Sequence, residues 1–234
     1  MYDSQTNSIG LFETMPLLTI HHKTEYRYHR PVAFGEHRLM FRPRDGHDIH
    51  VLSERLDIFP KPSSLRRIHD VFGNSVAIAD FDTEADRLVF DSTVTVEHYP
   101  LENIELTADD EAYYYPFAYE PDELDDLTTS ITPQYSDPDD ALAMWARPFL
   151  SSGPRTRTLD LLTDMTHGVR QSFGYRRRHE HGTQHPLDTL SIGSGTCRDF
   201  ALFMMEALRR LGIAARFVSG YIFIPGDRHH GYVG

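Results

Sequence analysis

Ile192-Gly193-Ser194-Gly195-Thr196-Cys197-Arg198-Asp199-Phe200-Ala201 places the only cysteine of the sequence where a glycine-rich turn becomes a helix. Phe200, Phe203, Met204, Ala207, Leu208 and Leu211 recur at the three- and four-residue spacing of one apolar helix face. Thr196 followed three residues later by Asp199 reads as a capping box. Arg209 and Arg210 suit the negative end of the macrodipole, and Gly212 suits the stop. Cys197 is therefore the first helical residue. A thiolate there meets backbone N–H groups with no partner inside the helix, and these favour the nucleophilic form. Asp199 opposes that with a negative charge and Arg198 supports it, so the balance stays open. The alternative is a cysteine buried as a small hydrophobe on the face of Phe200.

Upstream, residues 174–195 form the loop expected to frame such a site. It holds Tyr175, three consecutive arginines at 176–178, and Gln184. Tyr175 and Gln184 are the side-chain candidates for lining a cleft or donating to an oxyanion, beside the backbone N–H of Cys197. The arginines can grip an acidic substrate or simply remain solvated. His179, His181 and His185 pose a rival metal site, but no cysteine pair or His-Glu-x-x-His helix accompanies them. No metal and no cofactor are expected.

Further out, Asp137-Pro138 reads as N-cap and N1 of a helix through Trp145 that Pro148 stops. A second helix begins near Thr156 or Thr158 and ends before Gly174. After Gly212, residues 215–224 hold enough β-branched and aromatic side chains for a buried strand. The amino-terminal half reads differently. Leu18, Ile20, His22, Thr24, Tyr26 and Tyr28 alternate with polar residues, as do Leu88, Phe90, Ser92, Val94, Val96 and His98. Shorter strand candidates span 37–42, 52–59 and 76–81, and Gly73-Asn74 signals a two-residue hairpin. Residues 100–138 shift to acids, prolines and the run Tyr113-Tyr114-Tyr115, a segment its amphipathic rings can pin against the neighbouring domain. The expected class is α+β: a loose extension over 1–16, an all-β sandwich-like domain over 17–105, and an α+β core over 106–234.

A formal net charge of −12 argues against nucleic acid or an anionic membrane as the main partner. Neither a signal peptide nor a membrane-spanning run is legible, and one cysteine forms no intrachain disulfide, so the cytoplasm is the expected compartment.

Residues 193–201, followed by Leu211-Gly212-Ile213-Ala214-Ala215-Arg216-Phe217-Val218-Ser219-Gly220-Tyr221, resemble the core of bacterial transglutaminase-like proteins. Tyr26-Arg27-Tyr28, Pro31-Val32, residues 37–44 and Phe72-Gly73-Asn74 resemble the β-rich region preceding that core. The resemblance implies a papain-like arrangement of helix and sheet, with Cys197 as nucleophile of a Cys-His-Asp triad. It implies a thioester formed on an amide of a protein or peptide substrate, with hydrolysis expected ahead of cross-linking. The family's histidine usually precedes Ala-Trp shortly after Ser-Gly-Tyr, and its aspartate follows on the next strand. Here His229 and His230 occupy that interval without Ala-Trp. The expectation is a chain that stops before the family's histidine and aspartate, with its core incomplete at the C-terminus and little activity by itself. A non-enzymatic interaction module on the same fold is the alternative. Oligomeric state is not legible.

Overall fold

The structure is a computed structural model that describes residues 17–99, 107–178, 180 and 182–222. It divides into two compact units, Met1–Ile104 and Glu105–Gly234. The first contains two three-stranded antiparallel sheets. One has the order β1–β6–β3, from β1 (Leu17–Val32), β3 (Ile49–Phe59) and β6 (Ala85–His98). The other has the order β2–β5–β4, from β2 (His37–Leu39), β4 (Ser64–His69) and β5 (Ser75–Asp80).

The alternation read in residues 88–98 becomes the central strand β6, whose Leu88, Phe90, Ser92, Val94 and Val96 are all buried. Successive side chains of a strand point to opposite faces, so this set lies on one face. Phe34, Leu39 and Ala77 join Leu88 and Phe90 in a single cluster that draws on both sheets, which makes this unit a sandwich. The hairpin differs from its two-residue expectation. The strands β4 and β5 pair from His69 and Ser75, so five residues turn the chain. Asp70 explains this: its carboxylate accepts from the backbone of Phe72 and Asn74 and from the Asn74 amide, at 2.7–2.9 Å. Gly73 takes the positive φ this turn requires.

The second unit is mostly helical. It runs β7 (Tyr114–Tyr115), α1 (Pro121–Ile131), α2 (Ala141–Ala146), β8 (Thr156–Arg157), α3 (Thr158–Ser172), β9 (Gly174–Tyr175), α4 (Pro186–Ile192), β10 (Ser194–Gly195) and α5 (Cys197–Arg210). The tyrosine-rich segment packs inside this unit: β7 pairs with β8, and the Tyr115 hydroxyl donates to the Leu211 carbonyl.

The core gathers on α5. Ala207 and Leu208 pack with Leu161 and Met165 of α3, and Phe203 packs with Leu142, Val169 and Phe173. The Trp145 and Phe173 rings meet Phe203 edge-on at 4.7 and 4.8 Å. Aromatic quadrupoles favour that geometry.

Several expectations are corrected. The helix expected at Asp137-Pro138 starts at Ala141, but Asp137 still serves it. Its carboxylate accepts from the backbone N–H of Ala141 and Leu142 at 2.8 and 3.0 Å, capping α2 from outside. The acidic residues 120–126, which read as a solvated face, do face solvent: they open α1, where Glu120 and Glu123 form a capping box and no residue is buried. Residues 174–195 contain the helix α4, with Pro186 at its start and Gly193 in the left-handed conformation at its end. Of residues 215–224, expected as a buried strand, the described 215–222 are not a strand and 216–220 are exposed, while 223 and 224 lie outside the described residues. Among the described residues no strand pairs with them, and strand geometry needs a hydrogen-bonded neighbour. The extension over 1–16 lies outside the described residues. Among the described residues no helix is long and apolar enough to cross a membrane.

Candidate active site

Cys197 is exposed at the first position of α5, which excludes the buried-hydrophobe alternative. Three pieces of chain hold it there. Phe173 ends α3, and the segment behind it pairs in parallel with the turn ahead of the cysteine: Gly174 with Ser194, and Tyr175 with Gly195. Gly174 N–H donates to the Gly193 carbonyl and Arg176 N–H to the Gly195 carbonyl, at 2.9 and 2.8 Å.

The two glycines of the motif have separate reasons. Gly193 closes α4 with a φ of +68°, where a side chain is strained. A Cβ on Gly195 would lie 2.9 Å from the Asp199 Cβ, so the glycine lets the turn lie against that side chain.

Asp199 is wholly buried. Its Oδ1 accepts from Arg178 Nη1 and from the Gln184 backbone N–H, each at 2.7 Å. Its Oδ2 accepts from the Thr196 backbone N–H at 2.7 Å and the Thr196 hydroxyl at 2.9 Å. Burial alone pushes this carboxyl up. The donors from Gln184 and Thr196, with the Arg178 charge, outweigh that and hold it below the usual carboxylate range. The charge expected to repel a thiolate at Cys197 is thus neutralised on the spot by Arg178.

The remaining candidates divide. Gln184 is brought to the helix start, but both N–H groups of its amide are committed: Nε2 donates to Thr189 Oγ1 at 3.1 Å and to the Ser194 carbonyl at 3.0 Å. With no donor left over, it braces the turn and does not serve as the oxyanion donor expected of it. Tyr175 pairs with Gly195 in the turn ahead of the cysteine and is 68 % exposed. Arg178 leaves the substrate-gripping set for its buried carboxylate, whereas Arg176, Arg177 and Arg198 are exposed, Arg198 directly after the cysteine and Arg176 directly after the Tyr175 that pairs with Gly195.

His185 caps α4, its Nδ1 accepting from Leu187 N–H at 3.2 Å. His179, His181, His229 and His230 lie outside the described residues. Among the described residues, no side chain hydrogen-bonds the Cys197 sulfur, and no cluster of His, Cys, Asp and Glu is arranged to hold a metal.

Sequence reasoning found the capping box but missed the clamp formed by Arg178, Gln184 and Asp199. Arg178 and Gln184 are 21 and 15 positions before Asp199, and no periodicity links them.

Residues 18–97 match the family described as Bacterial transglutaminase-like N-terminal region, and residues 144–233 match the Transglutaminase-like superfamily. An uncharacterized protein of Mycobacterium bovis and two of Mycobacterium tuberculosis are each 27 % identical to the chain over 203 residues, 86 % of its length. The chain spans 64 % of the length of these curated relatives. A crystal structure named "Putative Cysteine Protease" from Cytophaga hutchinsonii shares the fold at a TM-score of 0.62 and 20 % identity, covering 93 % of this chain and 73 % of that one.

Proposed function

The chain joins a bacterial transglutaminase-like N-terminal region to a core of the transglutaminase-like superfamily, and from that premise we propose that it belongs to a thiol enzyme acting on amide bonds. The observation that carries this reading is the exposed thiol of Cys197 at the first position of α5, inside the matched core. There the sulfur attacks the carbonyl carbon of a protein or peptide amide, its proton passing to a base. The oxyanion that forms faces the N–H of Cys197, which has no acceptor within the helix. Collapse expels the amine with its proton and leaves a thioester on Cys197. Water then releases a carboxylic acid, or a primary amine takes the acyl group and forms a new amide. Hydrolysis is the reading proposed, with the cytoplasm as compartment, where a reducing poise keeps the lone thiol free.

The base belongs to residues outside those described, and His229 and His230 are the two candidates within this chain. The test uses the full-length protein, a peptide library and an excess of a labelled primary amine, read by mass spectrometry. The expected result is peptide hydrolysis and a mass adduct on Cys197, both lost in Cys197→Ala. Amine incorporation without hydrolysis would reassign the reaction to cross-linking. Intact function in Cys197→Ala would overturn the enzyme reading and favour a binding module.

A further inference from the structure

We infer that Asp199 is the positioning residue for Cys197: its buried carboxylate clamps Arg178, Gln184 and the Thr196 cap to the start of α5, fixing the cysteine at the first helical position. The inference rests on the thiol-enzyme reading for its purpose and on the structure for its geometry. One carboxylate accepts four hydrogen bonds from three separate residues: Arg178, Gln184 and Thr196. Two donors come from the cap residue immediately before Cys197, and two from the loop that arrives from α3. Gly195 lies against the same side chain, with no room for a Cβ. Gln184 extends the clamp by donating from its amide to the Ser194 carbonyl, so the loop also holds the turn three residues before the cysteine.

Two physical accounts of Asp199 make opposite predictions. As a bare negative charge two residues away, it disfavours the thiolate, and its removal should speed reactions of Cys197. As a clamp, it keeps the first backbone N–H groups of α5 aligned toward the sulfur, and its removal should slow them. Arg178 Nη1 lies 2.7 Å from Asp199, and Arg178 Nε lies 3.6 Å from Glu180. Loss of the carboxylate would leave Arg178 as a nearby cation, which also speeds the reaction in the first account. The signs therefore separate cleanly.

Because the chain has a single cysteine, alkylation by iodoacetamide reports Cys197 alone. In Asp199→Asn the amide keeps one acceptor oxygen and turns an NH2 group toward donors that need an acceptor. The expected result is an alkylation rate that falls about threefold or more near neutral pH, with the deficit closing at about pH 10, where any thiol is ionised. A faster rate, an unchanged rate or a deficit equal at every pH would each overturn the proposal. If circular dichroism shows that Asp199→Asn is unfolded, Thr196→Val carries the test, since it removes one donor and keeps the carboxylate. It should show the same deficit, smaller in size and closing at the same alkaline pH, and no deficit would overturn the clamp. Alkylation needs neither substrate nor base, so its outcome is independent of the enzyme reading. A wild-type protein without amide activity that still shows the deficit fails as an enzyme and keeps the clamp. An active wild type whose Asp199→Asn alkylates normally does the reverse.

Discussion

Gly195 shows what a single missing methyl group does in this site. The turn approaches the Asp199 side chain so closely that an added Cβ would fall 2.9 Å from its Cβ and 3.1 Å from its Oδ2. Asp199 cannot retreat, because its carboxylate is held from both sides. Gly195→Ala should therefore cost about 1–3 kcal/mol, the range for forcing extra volume into a packed site, measured by urea denaturation. Gly193 is constrained differently, by φ and not by space. An alanine there meets nothing within 4 Å but must adopt a positive φ. The sequence marks both positions with the same letter, and only the structure separates their reasons.

At the scale of elements, α5 is buried on more than its apolar face. Phe203, Ala207 and Leu208 lie in the core as the spacing predicts. Glu206 and Arg209 are also buried, paired at 2.9 Å, with Arg209 in the last turn where the helix dipole favours a cation. Glu206 Oε2 accepts from the backbone N–H of Gln134 and Tyr135, while Arg209 donates to the Ala215 carbonyl. The pair thus ties α5 to the chain before α2 and the chain after Gly212. Glu206→Ala should destabilise the fold by about 3–5 kcal/mol, because it leaves a buried guanidinium without its carboxylate and two N–H groups without an acceptor. The free energy from urea denaturation checks this, and a loss under about 1 kcal/mol would mean that water takes the place of the carboxylate. The helix α4 was missed because seven residues hold too few turns to show a period. Its end signals, Pro186 and Gly193, were present in the sequence all the same.

At the scale of the whole molecule, 23 basic residues stand against 35 acidic ones. A polyanion must release counterions to basic side chains to be bound, so no binding of a fluorescent duplex DNA is expected at about 0.15 M salt, measured by anisotropy. Binding that weakens steeply with added salt would contradict this and point to a local basic face, with Arg176, Arg177 and Arg198 the first residues to replace. By itself, the sequence determined the α+β class, the long alternating strands and the helix that begins at Cys197. These depend on periodicity and end signals that act over a few residues. Tertiary structure decided what those signals cannot encode. It placed the thiol on the surface, sank Asp199 and Glu206 among their partners, and spent the Gln184 amide and Arg178 on the helix start. It also set residues 216–220 on the surface, with no strand pairing to them among the described residues. Each of these outcomes turns on which distant backbone or charge arrives to satisfy a buried polar group, and only the packed chain settles that.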